Sequence, residues 1–380
     1  MNDGYIKSLD GVRAIAILLV MSFHADITYF GWMGVQLFFV LSGFLITGIL
    51  WQEKHKEGTI GFKLKKFWVR RSLRIFPLYF GWLLFLGITY LLFHFPGYFT
   101  TYFPYLATYT VNYSRTLPEW QGNPLFTHLW SLSIEEQFYL FFPLVIFFLR
   151  RSWVKYFMIF FVLLSPITRY LLGEYYEGRG HEPAVVADVI YWNTLSHLDA
   201  FFIGGLIPVL SLDKKIRKPQ WLLVVGLVIA ALAGLMNFLD ATPAGIPYPL
   251  ELGYNHGRIE NYEHVWHYSA LNLLFASFIL VLASRTNRSS VLTKILESRW
   301  LVSIGRVSYG MYIFHWAVYV YIFARLLPAH SIWMKLLLFI PYTVAVYLIA
   351  RLSYHFYEAP FLKLKDRFFP KKNHEDAKTR

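Results

Sequence analysis

Apolar runs close to the length of a bilayer crossing recur along the whole chain, and the short connections between them hold most of the charge. Ten runs stand out, at 10–28, 34–51, 76–95, 136–149, 153–172, 197–211, 220–239, 267–284, 301–324 and 332–356. About 20 apolar residues at ~1.5 Å each cross the hydrocarbon core of a membrane. The pattern predicts an all-α polytopic membrane protein, a bundle of about ten transmembrane helices. The period-two alternation of an outer-membrane barrel is absent. The first run sits where a signal peptide would. It carries Arg13 and His24 and no small-residue cleavage pattern follows, so it is expected to stay as a helix.

The connections sort by charge. Residues 52–75 carry Lys54, Lys56, Lys63, Lys65, Lys66, Arg70, Arg71 and Arg74, whereas 96–135 carry Arg115 alone. Arg150, Arg151 and Lys155 follow the fourth run, and the 173–196 connection is acidic. Lys214, Lys215, Arg217 and Lys218 follow the sixth run, Arg258 is alone in 240–266, and Arg285, Arg288, Lys294 and Arg299 follow the eighth. Residues 361–380 form a basic tail that ends in Lys371, Lys372, Lys378 and Arg380. Basic and non-basic connections alternate, which places both termini in the cytoplasm by the positive-inside rule.

Composition agrees with this reading. The 380 residues are 56% hydrophobic and 20% aromatic, beyond the range of most soluble domains. The net charge of +13 lies in alternate loops, so it is expected to meet the bilayer surface and not nucleic acid. With no cysteine there is no disulfide, thiolate metal site or cysteine nucleophile. His256, His264 and His267 cluster in sequence without a carboxylate at metal-site spacing, and no metal is expected. Tyr98, Tyr102, Tyr105, Tyr109, Tyr113, Trp120 and Trp130 in one outer connection, and Tyr248, Tyr254 and Tyr262 in another, fit an interfacial belt or a sugar-stacking surface equally well.

Polar residues inside the runs carry the candidate chemistry. Asp10 and Arg13 open the first run and His24 lies near its far end. Eleven positions between Arg13 and His24 put them about 20° apart around a helix and about 16 Å apart along it. An ionisable side chain at membrane depth points to function, and the alternative is a packing histidine satisfied by a neighbour. Ser42 and Gly43 in the second run either allow close helix packing or line a cavity. Residues 60–74 read as an interfacial helix, either an ordinary basic anchor or an anion site in which Arg71 and Arg74 grip phosphate, with Arg70 beside them. His128, Ser133, Glu135, Glu136, Gln137 and Tyr139 crowd the entrance to the fourth run. Ser133 to Glu136 fits a capping box. The second carboxylate exceeds what a cap needs, and a Glu here is expected to reach and orient His24. His315 is a further cavity candidate.

SLDGVRAIAILLVMSFH, GVQLFFVLSGFLIT, FWVRRSLRIFPLY, HLWSLSIEEQFY, YGMYIFHW and the closing YEAPF occur in that order. Jointly they resemble the acyltransferase-3 family of integral-membrane O-acyltransferases, in the stand-alone form without an SGNH extension. The resemblance implies a membrane domain over 1–360 that moves an acyl group, expected to be acetyl, from cytoplasmic acyl-CoA. The acceptor is the hydroxyl of an envelope polysaccharide or lipid-linked sugar, at a bacterial inner membrane. It implies essential Arg13 and His24, a contribution from Arg71 and Arg74, and a role for Glu136, Glu135 and His315. In the mechanism expected here, His24 acts as general base or as the acyl acceptor itself. The alternatives are a small-molecule acceptor such as a macrolide, and a transporter.

Overall fold

The computed structural model describes residues 5–117, 120–241, 252–284, 290–329 and 331–369. Tyr248, Arg285, Arg288 and the tail from Pro370 onward lie outside them. Among the described residues every regular element is helical. The chain opens with α1 (Ser8–His24), α2 (Met33–Lys54), α3 (Ile60–Phe93) and α4 (Phe99–Ala107). It continues through α5 (Trp130–Phe148), α6 (Arg151–Glu177), α7 (Pro183–Trp192), α8 (Leu198–Leu210), α9 (Leu212–Lys215) and α10 (Pro219–Ala241). It closes with α11 (Glu263–Ala283), α12 (Val291–Leu296), α13 (Arg299–Arg306), α14 (Ser308–Val318), α15 (Ala324–Leu326), α16 (Ile332–Ser353) and α17 (Ala359–Phe368).

Among the described residues, seven helices are long and apolar enough to cross a membrane, or nine if each of two bent pairs is one span. The bends are 71° between α7 and the run Thr194–Leu210, and 77° between α13 and the run Ser308–Leu326. Helix α1 stands outside that number; its 17 residues reach the lower end of a spanning length. Helices α1 and α2 lie at the centre, whereas α6, α10 and α16 turn Leu163, Leu232 and Leu337 outward. An apolar exterior on this scale is the surface a protein shows to lipid.

The central contact is α2 against α8. A Cβ on Gly204 would lie 2.1 Å from the Val40 carbonyl oxygen, and one on Gly43 would lie 1.9 Å from that of Phe201. Both glycines are therefore required by backbone approach. Gly43 faces α8 and is not among the residues lining the cavity described below, so of its two readings it takes close packing.

Three element boundaries differ from the sequence pattern. The interfacial segment 60–74 and the third run form one 34-residue helix, α3, that continues through Pro77. Proline removes one helical hydrogen bond. Two tyrosine hydroxyls donate to carbonyls at this turn, Tyr309 to Ile75 (2.8 Å) and Tyr357 to Pro77 (3.0 Å). Helix α5 starts six residues before the fourth run, so Ser133, Glu135 and Glu136 lie inside it. No capping box forms: Leu129 occupies the cap position, and the Ser133 hydroxyl donates back to the Leu129 carbonyl at 3.4 Å. The 173–196 connection contains the end of α6 and all of α7. In the 96–135 connection Tyr102, Tyr109 and Trp130 are buried and only Tyr98 and Tyr113 are strongly exposed, so most of these rings pack inward.

A buried ion pair ties the α8 side of the bundle. Arg169 of α6 donates to Asp199 of α8 (3.0 Å), to the Ser196 and Val265 carbonyls and to the Ser269 hydroxyl. Asp199 accepts from Ser269 as well (3.0 Å). A buried pair persists when each partner is otherwise hydrogen-bonded, as here. Its residues join α6, α8 and α11.

Candidate active site

Two layers of polar side chains lie at the middle of the bundle. The first is a cavity of about 1080 Å³, including its open mouth, on α1, α2, α3, α5 and α14. Arg13, Arg71 and Arg74 line it together with Ser42, Glu135 and Tyr139. Arg71 and Arg74 are three apart on α3, which puts them on one helix face. Arg13 is held by an ion pair to Asp10, which also accepts from the Tyr5 hydroxyl. Arg71 lies over the Phe67 and Tyr139 rings. Among the described residues neither Arg71 nor Arg74 has a carboxylate within ion-pair distance. Guanidinium forks left without an internal acid are suited to phosphate.

Beside the arginines, the Ser42 hydroxyl donates to Glu135 (2.8 Å) and accepts from the Tyr139 hydroxyl (3.1 Å). This carboxylate meets α2 and not His24, which corrects the expected Glu–His contact. Glu136 is outside the cavity lining and its Oε1 is buried without a hydrogen-bond partner.

The second layer is at the far end of α1. His24 Nδ1 and His315 Nε2 are 2.8 Å apart, and His315 Nδ1 is 2.7 Å from the Tyr312 carbonyl oxygen. A carbonyl only accepts, so His315 Nδ1 carries the proton. In a neutral ring His315 Nε2 then accepts, and His24 Nδ1–H donates to it. The remaining nitrogen, His24 Nε2, is left with its lone pair. Trp316 stacks on the His24 ring at 4.3 Å and 20°. His128 packs edge-on against His315 at 5.2 Å and its Nε2 is 3.2 Å from the Ile313 carbonyl.

Tyr312 joins the layers. Its side chain lines the arginine cavity, and its hydroxyl lies 2.5 Å from the Ser131 hydroxyl while donating to the His128 carbonyl at 2.8 Å. Its own carbonyl holds His315. Sequence reading missed Tyr312, Ser131 and Trp316. Spacing held the signal: Tyr312 precedes His315 by three residues and Ser131 precedes Glu135 by four, each pair sharing a helix face.

Besides Gly43 and Glu136, three more predicted residues stand elsewhere. Arg70 points to the Phe369 carbonyl (3.4 Å) and ring, away from the cavity. Gln137 binds the Tyr109 carbonyl and Asn112 and accepts from Thr194, tying α5 to the neighbouring loops. Ser133 turns back on its own helix. Among the described residues no group of three or more His, Asp or Glu has the arrangement of a metal site.

Comparison with known proteins adds the chemistry. The family model described as "Acyltransferase domain" matches residues 6–355. A protein named "Putative O-acetyltransferase" from Staphylococcus aureus strain COL is 31% identical, over 94% of this chain and 58% of its own length. "O-acetyltransferase OatA" of strain MRSA252 is 27% identical, over 99% of this chain and 60% of its own length. The chain thus spans about three-fifths of these relatives. No solved structure matches it. With a family model covering nearly all of its length, the chain belongs to the acyltransferase-3 family.

Proposed function

We propose that the chain is a membrane O-acyltransferase that moves an acetyl group from cytoplasmic acetyl-CoA to a hydroxyl of an envelope polysaccharide or lipid-linked sugar. The carrying observation is the hydrogen-bonded series Tyr312 carbonyl, His315, His24, which leaves a lone pair on His24 Nε2. About 16 Å along α1 from that base lies Arg13, with Arg71 and Arg74 in the same cavity. The arginines hold the phosphates of the donor. Its thioester extends toward His24.

In the direct reaction His24 Nε2 removes the acceptor hydroxyl proton. The oxygen attacks the thioester carbonyl, the C–S bond breaks, and the departing thiolate takes the proton back from the imidazolium. During this step His24 Nδ1–H stays bonded to His315 Nε2, which keeps the ring in place. In the covalent variant Nε2 itself attacks the thioester carbonyl and the C–S bond breaks to release the thiolate. The acceptor hydroxyl then attacks the acyl-imidazolium, the N–acyl bond breaks, and the freed Nε2 takes the hydroxyl proton and passes it to the thiolate. The reading places both termini and the basic loops in the cytoplasm of a bacterial cell, with the acceptor arriving from the other side.

The test is the protein in liposomes with radiolabelled acetyl-CoA and candidate envelope glycans, comparing wild type with His24→Ala. Loss of a general base is expected to lower transfer by about 10²–10⁴-fold. Transfer that survives in His24→Ala removes His24 from the chemistry. Flux of a solute without consumption of acetyl-CoA favours transport instead.

A further inference from the structure

Further cavities adjoin the arginine cavity. A second cavity shares Arg13, Leu45 and Ile49 with it. A third shares Gly48, Gln52, Pro208 and Asp213 with the second. The α2 residues in this series, Ser42, Leu45, Ile49 and Gln52, recur every three or four positions and form one face of the helix. From Ser42 to Gln52 the trough covers about 15 Å along α2. It opens where α2, α6 and α9 bring their basic ends together.

That opening has a composition unlike the rest of the trough. Trp51, His55, Lys56, Arg151 and Lys214 line it. The Arg151 guanidinium lies 5.2 Å above the Trp51 ring. Trp51 and Arg151 also line an adjoining cavity that adds Lys155 and Lys215. Lys56 pairs with Glu53 (3.1 Å), whereas Arg151, Lys155 and Lys214 have no carboxylate partner among the described residues. An indole and a guanidinium in one stack supply flat faces for a nucleobase, and the surrounding cations suit phosphate.

Resting on the acyl-CoA reading above, we propose that this opening binds the 3′-phosphoadenosine end of the donor. The pyrophosphate then lies along the trough toward Arg13, Arg71 and Arg74, and the pantetheine arm runs on along α1. The arm has about the length of four to five extended residues, or about 15 Å. That matches the roughly 16 Å between Arg13 and His24 along the helix. Trp51 and Arg151 therefore select coenzyme A over shorter phosphopantetheine donors, a discrimination made far from the reacting thioester.

The test is calorimetric binding to the full chain in nanodiscs, with coenzyme A and 4′-phosphopantetheine as the two probes. Wild type is expected to bind coenzyme A at least tenfold more tightly. Arg151→Gln and Trp51→Ala are expected to reduce that preference to less than threefold by weakening coenzyme A alone. Trp51→Phe keeps an aromatic face and is expected to retain most of it, which separates stacking from a folding defect. Equal wild-type affinity for the two probes overturns the adenosine site and leaves the acyl-CoA reading standing. So does a preference unchanged by Arg151→Gln, which makes the patch an anchor for lipid headgroups. Wild type that binds neither probe overturns the donor reading and this site with it.

Discussion

His315 makes a prediction that His24 alone does not. Its Nε2 lies against His24 Nδ1 and its Nδ1 against the Tyr312 carbonyl. His315→Ala removes the acceptor for His24 Nδ1–H and frees the ring to rotate. The expected result is a fall in kcat of about 10²-fold, within the range for a misplaced general base, with KM for acetyl-CoA little changed. His315→Gln supplies an amide oxygen near the same position and is expected to recover part of the rate. Equal losses in both variants would make His315 a packing residue only. The arginines belong to the other parameter. Arg71→Gln removes a charged hydrogen-bonding group worth about 1.5–3 kcal/mol, so KM for acetyl-CoA is expected to rise about 10- to 100-fold. Arg71→Lys keeps the charge without the planar fork and is expected to fall between. An unchanged KM in Arg71→Gln would remove that residue from the donor site.

Much of this site was legible before any geometry. Arg13 and His24 are separated by three helical turns and end up at the two polar layers. Arg71 and Arg74 share a face and share a cavity. What sequence spacing does not carry is the partner across helices. A Glu of the 135–136 pair was expected to reach His24; Glu135 instead accepts from Ser42, because α5 begins at Trp130 and its rotation turns Glu135 toward α2. The histidine partner is 291 positions away in sequence, a separation no local pattern reports.

At the scale of elements, the site depends on how closely α2 approaches α8. Gly204 and Gly43 let two backbones meet while the preceding residue, Ser42, faces the cavity. Gly204→Val places a side chain 2.1 Å from the Val40 carbonyl oxygen, too near for a rotamer change to relieve. Such overpacking costs about 1–3 kcal/mol, and α2 must shift to accept it. The expected outcome is lower thermal stability of the detergent-solubilised protein together with loss of coenzyme A binding. Wild-type melting behaviour would show that the helices separate without cost. Small residues in the second apolar run announced close packing, yet the sequence left open which of Ser42 and Gly43 faced a helix. Adjacent positions on a helix point about 100° apart, so one packs and the other lines the cavity. The same limit applies to α3. Its apolar and basic halves differ in pattern, and only the observed helix shows it running on through Pro77, with Tyr309 and Tyr357 donating to the Ile75 and Pro77 carbonyls.

At the scale of the whole molecule, charge decides which way the bundle faces. Lys56, Arg151, Lys155, Lys214 and Lys215 come from three separate connections and surround two adjoining cavities at one end. Three connections gathered by folding are a stronger orientation signal than the same charges scattered. Excess Lys and Arg marks the cytoplasmic side, so under the proposed function the trough is expected to open toward the acyl-CoA pool, with His24 toward the opposite face. The natural absence of cysteine makes the orientation directly measurable with single introduced thiols. Glu57→Cys and Ser152→Cys stand at the basic end, and Thr101→Cys and Leu195→Cys in non-basic connections, all at exposed positions. A membrane-impermeant maleimide applied to intact cells, with the outer envelope permeabilised where there is one, is expected to label the second pair and to reach the first only after lysis. The reverse pattern would put the arginine cavity away from the acyl-CoA pool and end the cytoplasmic-donor reading, whatever the purified protein does in detergent. Labelling of Thr101→Cys but not Leu195→Cys would instead mean that one bent pair fails to cross. The α7–α8 pair, whose 71° bend falls between Trp192 and Thr194 next to Leu195, is where that failure would lie.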